Sequence, residues 1–209
     1  MTNLIAICSF GTGNTGSIVN ILKKVGYNSK VFISPEEIDY TPNLIILPGV
    51  GSFDFAIKKL EERGWIDYIQ RHNIEKRNIL GICLGMQLLC NKSEEGSSKG
   101  LGIISGSFAK FNKKLKIKVP HMGWNEVSFK DSMPFDLSNQ NQRYYFVHSY
   151  RYKYISPEYI YGTSFYGDEF ASIIGRDNGR VIGVQFHPEK SHRYGMNFFK
   201  KYLRFIENV

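Results

Sequence analysis

Three short stretches of this 209-residue chain carry residue types that could do chemistry together. The first is Gly81-Ile82-Cys83-Leu84-Gly85, which ends an apolar run and opens a helical one. It has the nucleophile-elbow pattern with cysteine in place of serine. A sharp strand-to-helix turn needs small flanking residues, and it lifts the nucleophile to the end of a sheet. A helix N-terminus beneath the sulfur favours a thiolate. The backbone N–H of Leu84 would point at a developing oxyanion. The same pentapeptide also fits a structural cysteine buried between packing glycines.

The second stretch is His187-Pro188-Glu189, directly after the apolar run Val181–Phe186. Residues two apart on an extended chain face the same side. The Glu189 carboxylate can therefore hold the His187 imidazole, with Pro188 stiffening the link. The third is Pro48-Gly49-Val50-Gly51. It fits a tight turn, and it also fits an exposed N–H at Val50 or Gly51 that serves as a second oxyanion donor, because glycine lets a peptide unit rotate at little steric cost.

These residues need a scaffold, and the first half of the chain supplies an alternating one. Strands are predicted at Leu4–Cys8, Lys30–Ile33, Leu44–Leu47 and Asn78–Ile82. Helices are predicted at Ser17–Val25 (stopped by Gly26), from Ser52 as cap to about Arg63, at Trp65–His72 and at Leu84–Asn91. Such alternation gives a parallel sheet covered on both faces. The second half is strand-like at Leu101–Phe111, Leu115–Val119, Trp124–Phe129, Tyr144–Tyr150, Tyr159–Phe165, Phe170–Gly175 and Val181–Phe186. Asn178-Gly179 reads as a two-residue hairpin turn. Ser191–Ile206 closes the chain as a helix with Tyr194, Phe198, Phe199, Tyr202 and Phe205 towards a core. No linker or repeat divides it, so residues 1–209 are expected to form one α/β domain.

Composition narrows the function classes. The chain carries a formal charge of +8 and a pI near 9.3. The charges are scattered and no nucleic-acid motif accompanies them. The densest stretch, Lys110–Lys118 with Lys113, Lys114, Lys116 and Lys118, fits the solvated face of a strand, a docking surface for an acidic partner, or attraction of an anionic substrate. No apolar run reaches the roughly 18 residues of a membrane span. The N-terminus reads as a first strand and not a signal peptide, so a cytoplasmic location is the default. Three cysteines, Cys8, Cys83 and Cys90, make neither a disulfide framework nor a zinc site. Cys8 and Cys90 read as small buried hydrophobes. Neither a metal nor a cofactor is expected.

Pro48–Gly51, Gly81–Gly85 and His187–Glu189, in this order, closely resemble the class I (triad) glutamine amidotransferases, over almost the whole chain. The resemblance implies a single-domain, flavodoxin-like α/β fold: a central, mainly parallel sheet with flanking helices and added antiparallel strands in the second half. It implies that Cys83 attacks the glutamine carboxamide, that His187 passes the proton to the leaving ammonia, that Glu189 orients His187, and that water then hydrolyses the glutamyl thioester. It places Gln87 against the substrate glutamine and Glu95 at its amino group.

Pro120-His121-Met122-Gly123-Trp124-Asn125, Tyr144–Tyr150 and Phe186–Ser191 look like the glutaminase subunit of imidazole glycerol phosphate synthase, of histidine biosynthesis. That resemblance implies Ser149 at the substrate carboxylate. It puts Trp124, Asn125, Tyr145 and Lys190 at or near the interface with a (β/α)₈-barrel cyclase subunit that receives the ammonia, with no nucleic-acid or membrane partner. Trp124 as a core aromatic and Lys190 as a surface lysine are the plainer readings. Ser9-Phe10-Gly11 and the loop Thr12–Ser17 depart from the family's opening, and Ser191-His192-Arg193-Tyr194-Gly195 resembles paralogues that feed enzymes of bacterial surface sugars. The alternative is therefore the same glutaminase with a sugar-modifying synthase as acceptor. A related hydrolase or chaperone would have histidine after the nucleophile, where this chain has Leu84. A subunit without chemistry would not be expected to keep Cys83, His187 and Glu189 together.

Overall fold

The computed structural model describes residues 5–208 except 12, 113, 115, 138–141 and 154–156. The first half alternates β1 (Ile5–Cys8), α1 (Thr15–Lys24), β2 (Ser29–Phe32), β3 (Leu44–Leu47), α2 (Phe53–Glu62), α3 (Trp65–Ile74), β4 (Asn78–Ile82) and α4 (Leu84–Leu88). The second half adds β5 (Lys92–Ser93), β6 (Ser107–Lys110), β7 (His121–Glu126), β8 (Ser128–Phe129), β9 (Arg143–His148), β10 (Tyr150–Lys153), β11 (Ile160–Phe165), β12 (Glu169–Arg176), β13 (Val181–Val184) and α5 (His192–Glu207).

Among the described residues, the main sheet runs β2-β1-β3-β4-β13-β12-β10-β6-β5, with β11 on β12 and β8 on β11. The five strands from β2 to β13 are parallel, in the doubly wound order 2-1-3-4-5. From β12 outward the pairing is mainly antiparallel. β1, β3 and β13 are buried along their whole length, which explains their unbroken apolar runs. One core packs α2, α3 and α4 against the sheet, and the other packs α1 and α5. A separate antiparallel pair, β7 and β9, stands beside the sheet.

Several boundaries differ from expectation for identifiable reasons. Ser52 precedes α2 but makes no capping bond, whereas Asn14 Oδ1 accepts from Ser17 N–H at 3.2 Å and caps α1. α4 stops at Leu88, and Leu101–Ser105 is not strand. The N–H groups of Gly100, Leu101, Gly102 and Ile104 donate to the carbonyls of Asn91, Leu88, Cys90 and Leu89 at 2.8–3.1 Å. One loop thus caps the helix exit and is consumed in doing so. Trp124–Phe129 splits at the buried Val127, because β7 pairs with β9 while β8 pairs with β11. The 176–181 connection is a four-residue turn, since Arg176 pairs with Val181 and Gly179 N–H donates to Arg176 O. Lys116–Val119 is not strand; Leu4, Thr12, Lys113 and Leu115 lie outside the described residues.

Candidate active site

Three adjacent parallel strands bring the three motifs to one edge. Leu47 on β3 lies opposite Gly81 on β4, and Gly81 opposite Gly183 on β13. The strands therefore end in step, and Pro48, Cys83 and Gln185 follow at their carboxyl ends, where α/β sheets hold their ligands.

Cys83 sits at φ 51°, ψ −102°, a strained backbone for a non-glycine residue. Its N–H donates to Val184 O at 2.7 Å. The flanking glycines are required by space. A Cβ on Gly81 would lie 2.5 Å from Gly85 O, and one on Gly85 2.0 Å from Leu47 O. A Cβ on Gly49 would lie 2.3 Å from Leu84 Cβ, so the Pro48–Gly51 segment packs directly on the elbow. Leu84 is the first residue of α4, where an N–H has no intrahelical partner. At five residues, α4 offers less dipole than the expected longer helix.

His187 Nδ1 lies 2.8 Å from Glu189 Oε1, and both side chains are nearly fully buried. His187 Nε2 and Glu189 Oε2 are buried without a hydrogen-bond partner. Burial opposes the imidazolium, but the Cys83 thiolate and the Glu189 carboxylate outweigh it and push His187 up to about 10. The ring is fixed from behind. Its backbone N–H donates to Tyr145 O at 2.8 Å, and Ser191 Oγ donates to His187 O at 2.6 Å while accepting from Tyr145 N–H at 3.0 Å. With Nδ1 held by Glu189 and Nε2 left for Cys83, such a histidine can take up and return a proton.

The sulfur has two polar neighbours that motif reading missed. The thiol can donate to Val147 O at 3.7 Å, and Gln185 Nε2 donates to Sγ at 3.6 Å. Gln185 is fully buried and its Oε1 is unpartnered. The available signal was one polar residue inside the apolar run Val181–Phe186. Cys8 and Cys90 are also buried, Cys8 at the end of β1, and burial raises both thiols.

Gln87 and Glu95 are tied together through Ser93. Ser93 Oγ donates to Gln87 Oε1 at 3.0 Å and accepts from Glu95 N–H at 3.2 Å. Glu95 Oε2 is buried and unpartnered. Burial raises the Glu95 carboxyl, the N–H of Phe53 opposes this, and Asp54 adds to it. Asp54 in turn accepts from the N–H groups of Ser97 and Ser98 at 2.9–3.0 Å, which holds it down to about 2 and pins the loop after Glu95 to α2.

Val50 and Gly51 are exposed beside the elbow, Gly51 at φ 122°. Ser149 is half-buried, two residues beyond Val147. Trp124 faces Tyr145 across the β7–β9 ladder and stacks on His192 at 5.7 Å with 9° between planes. The residue is 41% exposed, which removes the core reading. Lys190 is exposed. Asn125 instead turns its amide inward, to His121 and Phe165. Among the described residues, no group of His, Cys, Asp or Glu could hold a metal, and no helix is long and apolar enough to cross a membrane.

The model of the family described as Glutamine amidotransferase class-I matches residues 6–204. A Methanococcus maripaludis protein named imidazole glycerol phosphate synthase subunit HisH 2 is 46% identical, covering 96% of this chain and 99% of its own length. A Pseudomonas aeruginosa protein of the same name is 41% identical, with 97% and 100% covered. The subunit HisH of Streptococcus gordonii is 38% identical, with 97% of each covered. Among solved structures, PurLQS from Thermotoga maritima superposes with a TM-score of 0.73 at 20% identity, over 100% of this chain and 99% of that one. A structure titled glutamine amidotransferase gives 0.75 at 15% identity, with 97% and 98% covered. At these identities the structures speak for the fold alone.

Proposed function

Because this chain belongs to the class I glutamine amidotransferases, we propose that it is the glutaminase subunit of an imidazole glycerol phosphate synthase, a single domain over residues 1–209 working in the cytoplasm. The observation that carries the chemistry is the buried His187–Glu189 pair, just beyond the strand that lies beside the one ending at the strained Cys83. The names of the relatives at 36–46% identity speak for histidine biosynthesis and against a surface-sugar acceptor.

In this reading the Cys83 thiolate attacks the carboxamide carbon of L-glutamine, forming an S–C bond. The oxyanion is met by the N–H of Leu84 and by one from Val50 or Gly51. His187 gives its proton to the departing amine, and ammonia leaves a glutamyl thioester. His187 then takes a proton from water, which attacks the thioester and releases glutamate and the Cys83 sulfur. Glu189 keeps the ring oriented and its charge balanced. Gln87 and Ser149 hold the substrate, and Glu95 meets its ammonium, which would give the buried Oε2 its partner.

The ammonia passes to a cyclase subunit, a (β/α)₈ barrel that docks on the face carrying Trp124, Tyr145 and Lys190, with Asn125 at its margin. The test is glutamate release by the purified chain with and without that subunit and its nucleotide ligand. Strong stimulation, lost in Cys83→Ala, supports the assignment. A cyclase that neither binds nor stimulates leaves the glutaminase and removes the acceptor.

A further inference from the structure

Two buried histidines outside the proton-transfer chemistry form a continuous polar chain between the Trp124 strand and the glutamine side of the site. Asn125 Nδ2 donates to Phe165 O at 2.9 Å and lies 3.2 Å from His121 Nε2. His121 Nδ1 lies 2.9 Å from His148 Nε2, and His148 Nδ1 lies 2.7 Å from Tyr150 O. Both rings are otherwise walled by aromatics: Phe146, Tyr166 and Phe170 around His121, and Phe111, Phe146 and Phe170 around His148.

The proton positions are settled from both ends. Asn125 Oδ1 accepts from Glu126 N–H at 2.8 Å, so the amide's nitrogen end must face His121, and His121 Nε2 must accept. A backbone carbonyl only accepts, so His148 Nδ1 must donate to Tyr150 O and its Nε2 must accept. His121 Nδ1–H is then the one arrangement that satisfies both. Each histidine is neutral and carries its proton on Nδ1. A second proton on either ring would set donor against donor. Burial independently disfavours the charge, and holds His121 at about 4 and His148 at about 3.

The chain ends where glutamine would lie. Tyr150 follows Ser149, and its hydroxyl feels the Glu95 and Glu94 carboxylates. His148 follows Val147, whose carbonyl touches Cys83 Sγ. We propose that Asn125, His121 and His148 are positioning residues: a polarised hydrogen-bond relay that fixes the Val147–Tyr150 corner of the glutamine site from the Trp124 strand. A structural aromatic cluster would need neither nitrogen in a given protonation state, whereas the relay needs both. Its kinetic consequence rests on the glutaminase reading; its proton arrangement does not.

The experiment is ¹⁵N-resolved imidazole NMR on the full chain at neutral pH, paired with glutaminase kinetics. The relay expects Nδ1–H on both His121 and His148, against the Nε2–H form usual for free imidazole. Asn125→Asp places an acceptor against His121 Nε2, and should move a proton onto that nitrogen. It should also raise KM for glutamine about tenfold, the worth of one buried hydrogen bond, with kcat less affected. Should Asn125→Asp not fold, His121→Phe keeps the ring stacking, removes both nitrogens, and should raise KM likewise. Nε2–H on either histidine overturns the relay. So does a folded variant with unchanged KM. Nδ1–H on both rings in a chain that consumes no glutamine, with or without the cyclase subunit and its nucleotide ligand, would keep the proton arrangement, refute the positioning role and refute the glutaminase reading.

Discussion

His187 and Glu189 meet at 2.8 Å across the single residue Pro188, which leaves the other nitrogen of the imidazole for Cys83. The contact is made by residues two apart in sequence, so it needs no tertiary adjustment once the strand ends. Glu189→Gln keeps the size and one hydrogen-bonding atom but removes the charge. His187 should become easier to deprotonate, and kcat for glutamine hydrolysis should fall on the order of 10²–10⁴-fold, the worth of general acid–base catalysis. The pH profile of kcat in the variant would check this. An unchanged profile would assign the carboxylate no part in the chemistry.

Cys83 pairs strain with position, and the two can be separated. Cys83→Ala keeps a Cβ at φ 51°, whereas Cys83→Gly removes it. Both variants should lose glutamine hydrolysis. The glycine variant should be the more stable of the two by about 1 kcal/mol in urea denaturation, because relief of strain at positive φ exceeds the entropy that glycine adds to the unfolded chain. Equal stability would mean the elbow is not strained.

The scaffold was legible where each element answers to a local rule. β3 and β4 are apolar runs ended by turn glycines, and both match their predicted spans. The three motifs were visible, but their meeting was not, because it depends on β3, β4 and β13 lying side by side. Gln185 and Ser191 were hidden for another reason: a polar residue in an apolar run shows its purpose only once its partner is known. The segment Leu101–Ser105 has strand-like composition yet spends its N–H groups on the end of α4, a non-local demand that no window of sequence carries. Asn125 was assigned to an interface, and its amide's contacts with His121 and Phe165, four and forty residues away, were not visible in the sequence.

Gln185→Leu tests the amide beside the sulfur. The change removes a donor 3.6 Å from Sγ and a buried, unpartnered Oε1. Stability should hold or rise, because an unsatisfied buried carbonyl costs about 1–3 kcal/mol. Alkylation of Cys83 by iodoacetamide at neutral pH should slow about tenfold, as the thiolate loses one hydrogen bond. An unchanged alkylation rate would leave Gln185 as packing.

Asp54→Ala should unfasten the loop that carries Glu95. Asp54 takes the N–H groups of Ser97 and Ser98, and no other side chain takes those two amides among the described residues. The expected result is a higher KM for glutamine with kcat less affected, and faster amide exchange at Ser97 and Ser98. A KM change without faster exchange would point to the charge of Asp54 rather than the loop.

The buried histidines pull stability in opposite directions on the two sides of about pH 6.5. His72, His121 and His148 are depressed to about 4, 4 and 3, with burial the leading cause in each. Below the unfolded value of about 6.5 the unfolded chain binds more protons, so their contribution is lost as pH falls towards 4, on the order of a few kcal/mol in all. His187 runs the other way. Raised to about 10, it binds more protons in the folded chain between pH 6.5 and 10, so its contribution is full below 6.5 and is lost as pH rises through that window. Its charge depends on Cys83 as well as Glu189, so Cys83→Ala should lessen the slope between about pH 6.5 and 8, below the range in which the buried Cys8 and Cys90 thiols also lose stability, and leave the acid limb intact. Urea midpoints for both proteins from pH 4 to 10 read this directly. An equal slope between about pH 6.5 and 8 in the two would show that His187 does not owe its proton to the cysteine.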